Sequence, residues 1–132
     1  MKILLLEDDP NREEEFQRRV EEFSERNHVQ CELVHVETAK DCIHKLETDK
    51  FKLVLLDHDL GGQVYVDTNN TNTGSEVARW MNKNPDKIKG VSIITHTFNP
   101  AGAKNIVALV PQCHYVPSIW NKDKFHKIIK AS

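Results

Sequence analysis

Three short aliphatic runs in this chain each stop abruptly on polar, ligand-type side chains. That repetition limits the fold more than any other feature. Ile3-Leu4-Leu5-Leu6 runs into Glu7-Asp8-Asp9-Pro10, and Leu53-Val54-Leu55-Leu56 runs into Asp57-His58-Asp59-Leu60-Gly61-Gly62. Val91-Ser92-Ile93-Ile94 runs into Thr95-His96-Thr97. Continuous aliphatic runs of this kind are what strands covered on both faces look like. In an open parallel sheet, ligands bind outside the carboxyl ends of the strands. Three strands ending this way predict a sheet whose one rim gathers carboxylate, imidazole and hydroxyl groups.

Between these runs the chain reads as helices. Asp9 followed by Pro10 is an N-cap and a first helical position, and Phe16, Val20 and Phe23 give a charged helix one apolar stripe. Residues 30–36 alternate as a second strand, and Thr38 with Asp41 opens a helix whose core face is Ala39, Cys42, Ile43 and Leu46. Residues 51–56 form the third strand. After a polar loop over 61–73, Thr73 and Glu76 cap a third helix carrying Val77, Trp80 and Met81. Residues 91–94 make a fourth strand, and Asn99-Pro100 opens a fourth helix with Ile106, Val107 and Val110. Residues 113–116 are a short fifth strand, and Phe125, Ile128 and Ile129 belong to a last helix. Five strands alternating with five helices predict a doubly wound α/β sandwich around a five-stranded parallel sheet.

With 132 residues, 39% hydrophobic and 29% charged, the chain is expected to form one domain, 1–132, with a real core. A net charge of -2 gives no general attraction to nucleic acid or acidic membranes, so no extended nucleic-acid surface is expected. Any nucleotide contact must be local. Cys31, Cys42 and Cys113 are odd in number and lack metal-type spacing, so they read as small buried residues in a reducing cytoplasm. No stretch approaches a membrane span, and the N-terminal run is too short for a signal peptide.

Each polar residue at the predicted rim has a structural reading beside its chemical one. Asp8 and Asp57 would lie against aliphatic strands, where clustered carboxylates are costly unless a cation or proton intervenes. Both are expected to hold a metal or take part in chemistry. Asp9 serves equally as cap or ligand. Asp59 reads as a further ligand, or as a loop residue bonding its own backbone before Gly61-Gly62. His96 is the candidate acid or base, since imidazole exchanges protons near neutral pH. Thr95 or Thr97 donates to a phosphate, or is a β-branched strand residue. Asn99 reads as a cap, on a helix start whose N–H groups can receive an anion. Gly61 and Gly62 read as a turn that also lets backbone N–H groups approach phosphate. His58 reads as structural, His28, His35, His44 and His126 as surface or structural, and His114 as a weaker rim candidate. The Asn- and Thr-rich loop is a solvated loop or a flap over a substrate.

The order of elements, with an acidic pair after the first strand and an aspartate ending the third, resembles a response-regulator receiver domain over nearly the whole chain. The resemblance implies a flavodoxin-like three-layer sandwich, a magnesium ion held by Asp8 and Asp9, and a phosphoacceptor at Asp57, with Leu60 and Gly62 in the loop positions that receivers use. It places a hydroxyl at Thr95 or Thr97 and the family's proline at Pro117. Val116 departs from the pattern: receivers carry there a lysine that reads the acyl phosphate, and valine cannot donate a hydrogen bond. His58 and Asp59 beside Asp57, His96 beside the hydroxyl position, and an insertion over 63–73 depart in the same direction. Together with the runs 6–10, 56–62 and 96–102, they resemble a divergent receiver-like family, the cyclic-phosphate processing receiver domain.

That second resemblance implies a metal-dependent phosphoesterase-like enzyme acting on a 2′,3′-cyclic RNA end or a cyclic nucleotide. Mg²⁺ or Mn²⁺ would be held by Asp8, Asp9, Asp57 and Asp59. Asp57 and His96 would carry the chemistry, and Thr95, Thr97, Asn99, Gly61 and Gly62 would contact substrate. The alternative is a receiver-type signalling or nucleotide-binding module, with Asp57 as phosphoacceptor and a protein partner on the helical face.

Overall fold

The computed structural model describes residues 1–117, 119 and 121–131. Lys2–Leu6 (β1), Glu32–Val36 (β2), Leu53–Leu56 (β3), Ser92–Thr95 (β4) and Cys113–Tyr115 (β5) form one parallel sheet in the order β2-β1-β3-β4-β5. The helices are Pro10–Asn27 (α1), Ala39–Thr48 (α2), Gly74–Lys83 (α3), Pro100–Leu109 (α4) and Lys122–Ala131 (α5). All five strands and five helices stand where the alternation predicts them. One element lies outside it: a 3-10 turn over Pro85–Ile88, which starts on a proline and buries Ile88.

Four helices begin on the expected caps. The side chains of Asp9, Thr38, Thr73 and Asn99 accept from the backbone N–H of Asn11, Asp41, Glu76 and Gly102. Losing one such cap typically costs about 1 kcal/mol. The aliphatic strands divide their side chains between two cores, because successive residues point to opposite faces. Leu4, Leu6, Val54, Leu56 and Ile93 pack under α2, α3 and α4, whereas Ile3, Leu5, Leu53, Leu55 and Ile94 pack under α1 and α5. Cys42 and Cys113 are buried and Cys31 is half-buried, and all three are free thiols. Among the described residues no helix is long and apolar enough to cross a membrane.

From β1 the chain crosses to β2 on one side and then returns to β3 on the other. The crossovers therefore diverge at the carboxyl ends of β1 and β3, which leaves a crevice there for a ligand. Glu7, Asp8 and Asp57 follow those two strand ends directly.

Candidate functional site

Strand register alone brings three polar groups together. Leu6 pairs with Leu56, and Leu56 pairs with Thr95. Glu7, Asp57 and His96 each stand one residue further on, so they form a row across the three central strands, with neighbours roughly 4.8 Å apart. The row is pinned by backbone bonds: Asp57 N donates to the Leu6 carbonyl at 3.0 Å and His96 N to the Leu56 carbonyl at 3.1 Å. Parity puts these side chains on the α1 side of the sheet, with Leu5, Leu55 and Ile94. All three are buried, and one ligand atom from each lies within 4.8 Å of the others.

The row is electrostatically tense. Glu7 Oε2 accepts from the N–H groups of Asp8 and Asp9 at 3.0 and 3.1 Å, and Oε1 lies 3.1 Å from His96 Nε2. Burial raises the Glu7 pKa against the opposing pull of the Asp9 N–H, Asp57 and Arg12. Asp57 Oδ1 accepts from His58 N at 2.8 Å. Burial, reinforced by Glu7, pushes Asp57 up to about 7 against the opposing field of His96. His96 packs edge-on to Phe16 with ring centroids 5.0 Å apart, and burial lowers its pKa to about 4 against the opposing charge of Asp57. Two carboxyls held together in apolar surroundings retain a proton or take a cation. The donor set fits a cation: Glu7 and Asp57 supply hard oxygens and Asp8 stands beside them, the chemistry that Mg²⁺ prefers.

Above the row opens a pocket of about 400 Å³, reached by Asp8, Asp9, Arg12, Asp57, Asp59, Gly62 and Thr97 and by residues 63–65 and Phe98. Arg12 Nη1 lies 3.8 Å from Glu7 Oε1 and 3.8 Å from Asp57 Oδ2, and its Nε lies 3.8 Å from Asp9 Oδ2. These are ion-pair rather than hydrogen-bond distances. The guanidinium sits 5.1 Å from the Phe98 ring centroid. Gly61 and Gly62 both have φ +73°, a left-handed conformation that favours glycine, and Gly62 N donates to Asp8 Oδ2 at 2.7 Å.

Asp59 organises the loop that walls the pocket. Its Oδ2 accepts from Tyr65 N at 2.7 Å, and its Oδ1 accepts from Val66 N at 3.1 Å and Asn99 Nδ2 at 3.0 Å, 2.9 Å from His58 Nδ1. Burial works against its charge, but the bonds from Asn99, His58, Tyr65 and Val66 outweigh it and hold the carboxyl below its usual range. His58 is fully buried between Asp59 and Ser75 Oγ, the structural place expected of it.

Asp8, Asp57 and Gly62 meet at the pocket with Thr97, one of the two threonines the sequence offers for the hydroxyl. Asp9 lines it too, while its carboxylate caps α1, accepting from Asn11 N at 2.9 Å. Asp59 lines it with both oxygens committed to the loop. Three expectations need correcting in position. Thr95 is wholly buried and its hydroxyl donates to the Leu56 carbonyl at 2.8 Å, so it closes the sheet and turns nothing to a ligand. Asn99 is a buried cap that donates to Asp59, away from the pocket lining. His96 lies beneath the rim, outside the lining, where it touches Glu7 and Phe16. Gly61 shapes the turn without lining the pocket, and His114 is exposed elsewhere on β5.

Two residues escaped the sequence reading. Glu7 reads there as a lead-in to the acidic pair, yet parity carries its signal: it follows Leu6 as Asp57 follows Leu56. Arg12 is one charge among many on α1, and only the packing of that helix turns it into the pocket.

The chain belongs to the cyclic-phosphate processing receiver domain family, whose model matches residues 2–112. No curated protein matches the sequence. Among solved structures it is similar to the response regulator TrrA of Thermotoga maritima in complex with Mg²⁺ and BeF, at 23% identity and TM-score 0.72, covering 98% of this chain and 96% of that one. It is similar to the signal receiver domain of the DNA-binding response regulator merR from Colwellia psychrerythraea, at 21% identity and TM-score 0.71, covering 99% and 96%. It is also similar to the receiver domain of a sensor histidine kinase from Pseudomonas aeruginosa with magnesium in its active-site cleft, at 16% identity and TM-score 0.71, covering 98% and 94%. At these identities the likeness establishes the fold.

Proposed function

We propose that this member of the cyclic-phosphate processing receiver family is a receiver-type phosphoryl module. Asp57 meets the phosphorus, and Glu7, Asp8 and Asp57 hold a divalent cation. The observation that carries this reading is the buried Glu7–Asp57 pair at the carboxyl ends of β1 and β3, a pair of carboxyls that requires a cation to be fully ionised. Magnesium in the cleft of the Pseudomonas aeruginosa receiver, and with BeF in TrrA, supports the same assignment. A bound divalent cation supplies the positive charge that polarises a phosphoryl oxygen.

The chain's own groups do the rest. Ionised Asp57 forms a bond to phosphorus as the bond between phosphorus and the donor's leaving atom breaks. Thr97 and the Gly62 turn border the pocket where phosphoryl oxygens would lie, and Arg12 faces them with a charge-assisted donor. His96 acts through Glu7 by holding its carboxyl in the row. The test is BeF₃⁻ binding followed by ¹⁹F NMR, with intact mass after acetyl phosphate and Mg²⁺. A magnesium-dependent BeF₃⁻ signal that is lost in Asp57→Asn supports the module. Absence of both the signal and any mass gain refutes it.

A second reading is favoured by the family's description and by the resemblance to receivers, which implies a lysine at the position of Val116. In it the same pocket opens a cyclic phosphodiester: water adds to phosphorus, one P–O bond breaks, and the freed sugar oxygen takes a proton. A panel of 2′,3′-cyclic RNA ends and cyclic nucleotides, assayed with Mg²⁺ and Mn²⁺, distinguishes the two. Product from the wild type and none from Asp57→Asn supports hydrolysis. Binding without conversion rules it out.

A further inference from the structure

The mouth of the pocket carries aromatic surface that the phosphoryl chemistry does not use. Among the described residues five large hydrophobic side chains are exposed, and three of them, Val64, Tyr65 and Phe98, line this one pocket. Tyr65 is 75% exposed and Phe98 is 54% exposed. Exposed apolar groups gathered at one place mark a binding surface, whereas scattered ones are ordinary.

The backbone is arranged to present Tyr65. Its φ is +51°, a left-handed conformation that a bulky side chain rarely adopts. Asp59 enforces it from below by accepting from both Tyr65 N and Val66 N. Asp59 is in turn fixed by Asn99, the cap of the helix that follows Phe98. One network thus positions both rings, although they belong to loops after different strands. Backbone strain that is held in place by surrounding bonds clusters at ligand sites. Phe98 also carries the Arg12 guanidinium over its ring, so the aromatic wall joins the charged floor without a break.

We infer that Tyr65 and Phe98 form a stacking subsite for the base of a nucleotide whose phosphoryl group occupies the Asp57 pocket. The inference rests on the phosphoryl reading above and names the ligand class that site takes. A ligand satisfying both ends needs an anionic phosphoryl group, to meet Arg12 and a cation on the carboxylates, and a flat π-face within reach of it. A nucleotide has both, and stacking on aromatic side chains tolerates any base. The cavity of about 400 Å³ falls in the range of small-molecule sites. Among the described residues the other two exposed large hydrophobics, Val29 and Tyr115, are not part of the pocket lining.

The test is calorimetry on the full chain in Mg²⁺ with inorganic phosphate, ribose 5-phosphate, and the 2′-, 3′- and 5′-monophosphates of adenosine. At least one nucleotide is expected to bind roughly 10- to 100-fold tighter than ribose 5-phosphate, the gain typical of one stacked base. Tyr65→Ala, Phe98→Leu and their double variant should erase that advantage, and Tyr115→Ala should keep it. Equal affinity for nucleotides and ribose 5-phosphate, with phosphate still bound, overturns the subsite and leaves the phosphoryl reading standing. An advantage that survives in the double variant also overturns it. Failure of every phosphorylated probe to bind overturns both.

Discussion

Replacing Asp57 by asparagine tests the electrostatics of the row directly. The carboxyl is 3% exposed, and its pKa stands at about 7 against an ordinary value of 3.8. That gap of about 3 pH units, at about 1.4 kcal/mol each, makes the folded protein roughly 4 kcal/mol less stable with Asp57 ionised than with it protonated. The sign follows from a folded-state pKa above the unfolded one. The stabilising contribution of the proton is complete below about pH 4 and is lost as pH rises through about 7. Asparagine is neutral throughout and keeps an oxygen for the His58 N–H. It gives up the Arg12 ion pair, which is partly exposed and worth less than about 1 kcal/mol. In EDTA, the stability of Asp57→Asn relative to wild type should therefore climb by about 3–4 kcal/mol between pH 4 and pH 8. Urea unfolding followed by tryptophan fluorescence across that range measures it. A difference that stays constant with pH would refute the buried-pair argument. Millimolar Mg²⁺ at pH 8 should close the gap by stabilising the wild type alone, since a ligand of the folded state raises its stability by mass action.

Arg12→Gln should move two affinities in opposite directions. Mg²⁺ should bind two- to fivefold tighter, because a competing cation leaves Glu7 and Asp57, and inorganic phosphate about 10-fold weaker or more, because a charge-assisted donor is lost. Calorimetry reads both, and a change of the same sign in each would show that Arg12 serves structure alone. Gly74→Ala would place a Cβ 2.2 Å from the Asp57 carbonyl oxygen, so melts should show a loss of about 1–3 kcal/mol or more, with weaker Mg²⁺ binding as the β3 end shifts. His96→Ala empties a fully buried site and strips Glu7 Oε1 of its imidazole partner, so the melting temperature should fall by roughly 10 °C. An unchanged melt would mean that His96 does not hold the row.

Much of this architecture can be read in the linear chain because its causes are local. Aliphatic runs such as Ile3–Leu6 read as strands covered on both sides, and both faces of β1 are buried. Asp9, Thr38, Thr73 and Asn99 cap helices because a side-chain oxygen finds an N–H two or three residues away. That Asp8 and Asp57 line the pocket is legible in the sequence because a strand end in a parallel sheet is a fixed kind of place. What the sequence leaves open is decided by contacts between distant segments. The choice between Thr95 and Thr97 turns on where β4 ends: Thr95 is its last residue and donates to the Leu56 carbonyl, whereas Thr97, two residues past the strand, lines the pocket. Glu7 joins Asp57 and His96 only through the register of β1, β3 and β4, and a one-residue slip would turn each of them to the other face. Arg12 reaches the pocket, and Tyr65 reaches its mouth, through helix packing and a carboxylate clamp that link residues far apart in the chain. Local propensity specifies which element a residue belongs to, whereas register and packing specify its neighbours, and it is the neighbours that set the charge state of Asp57.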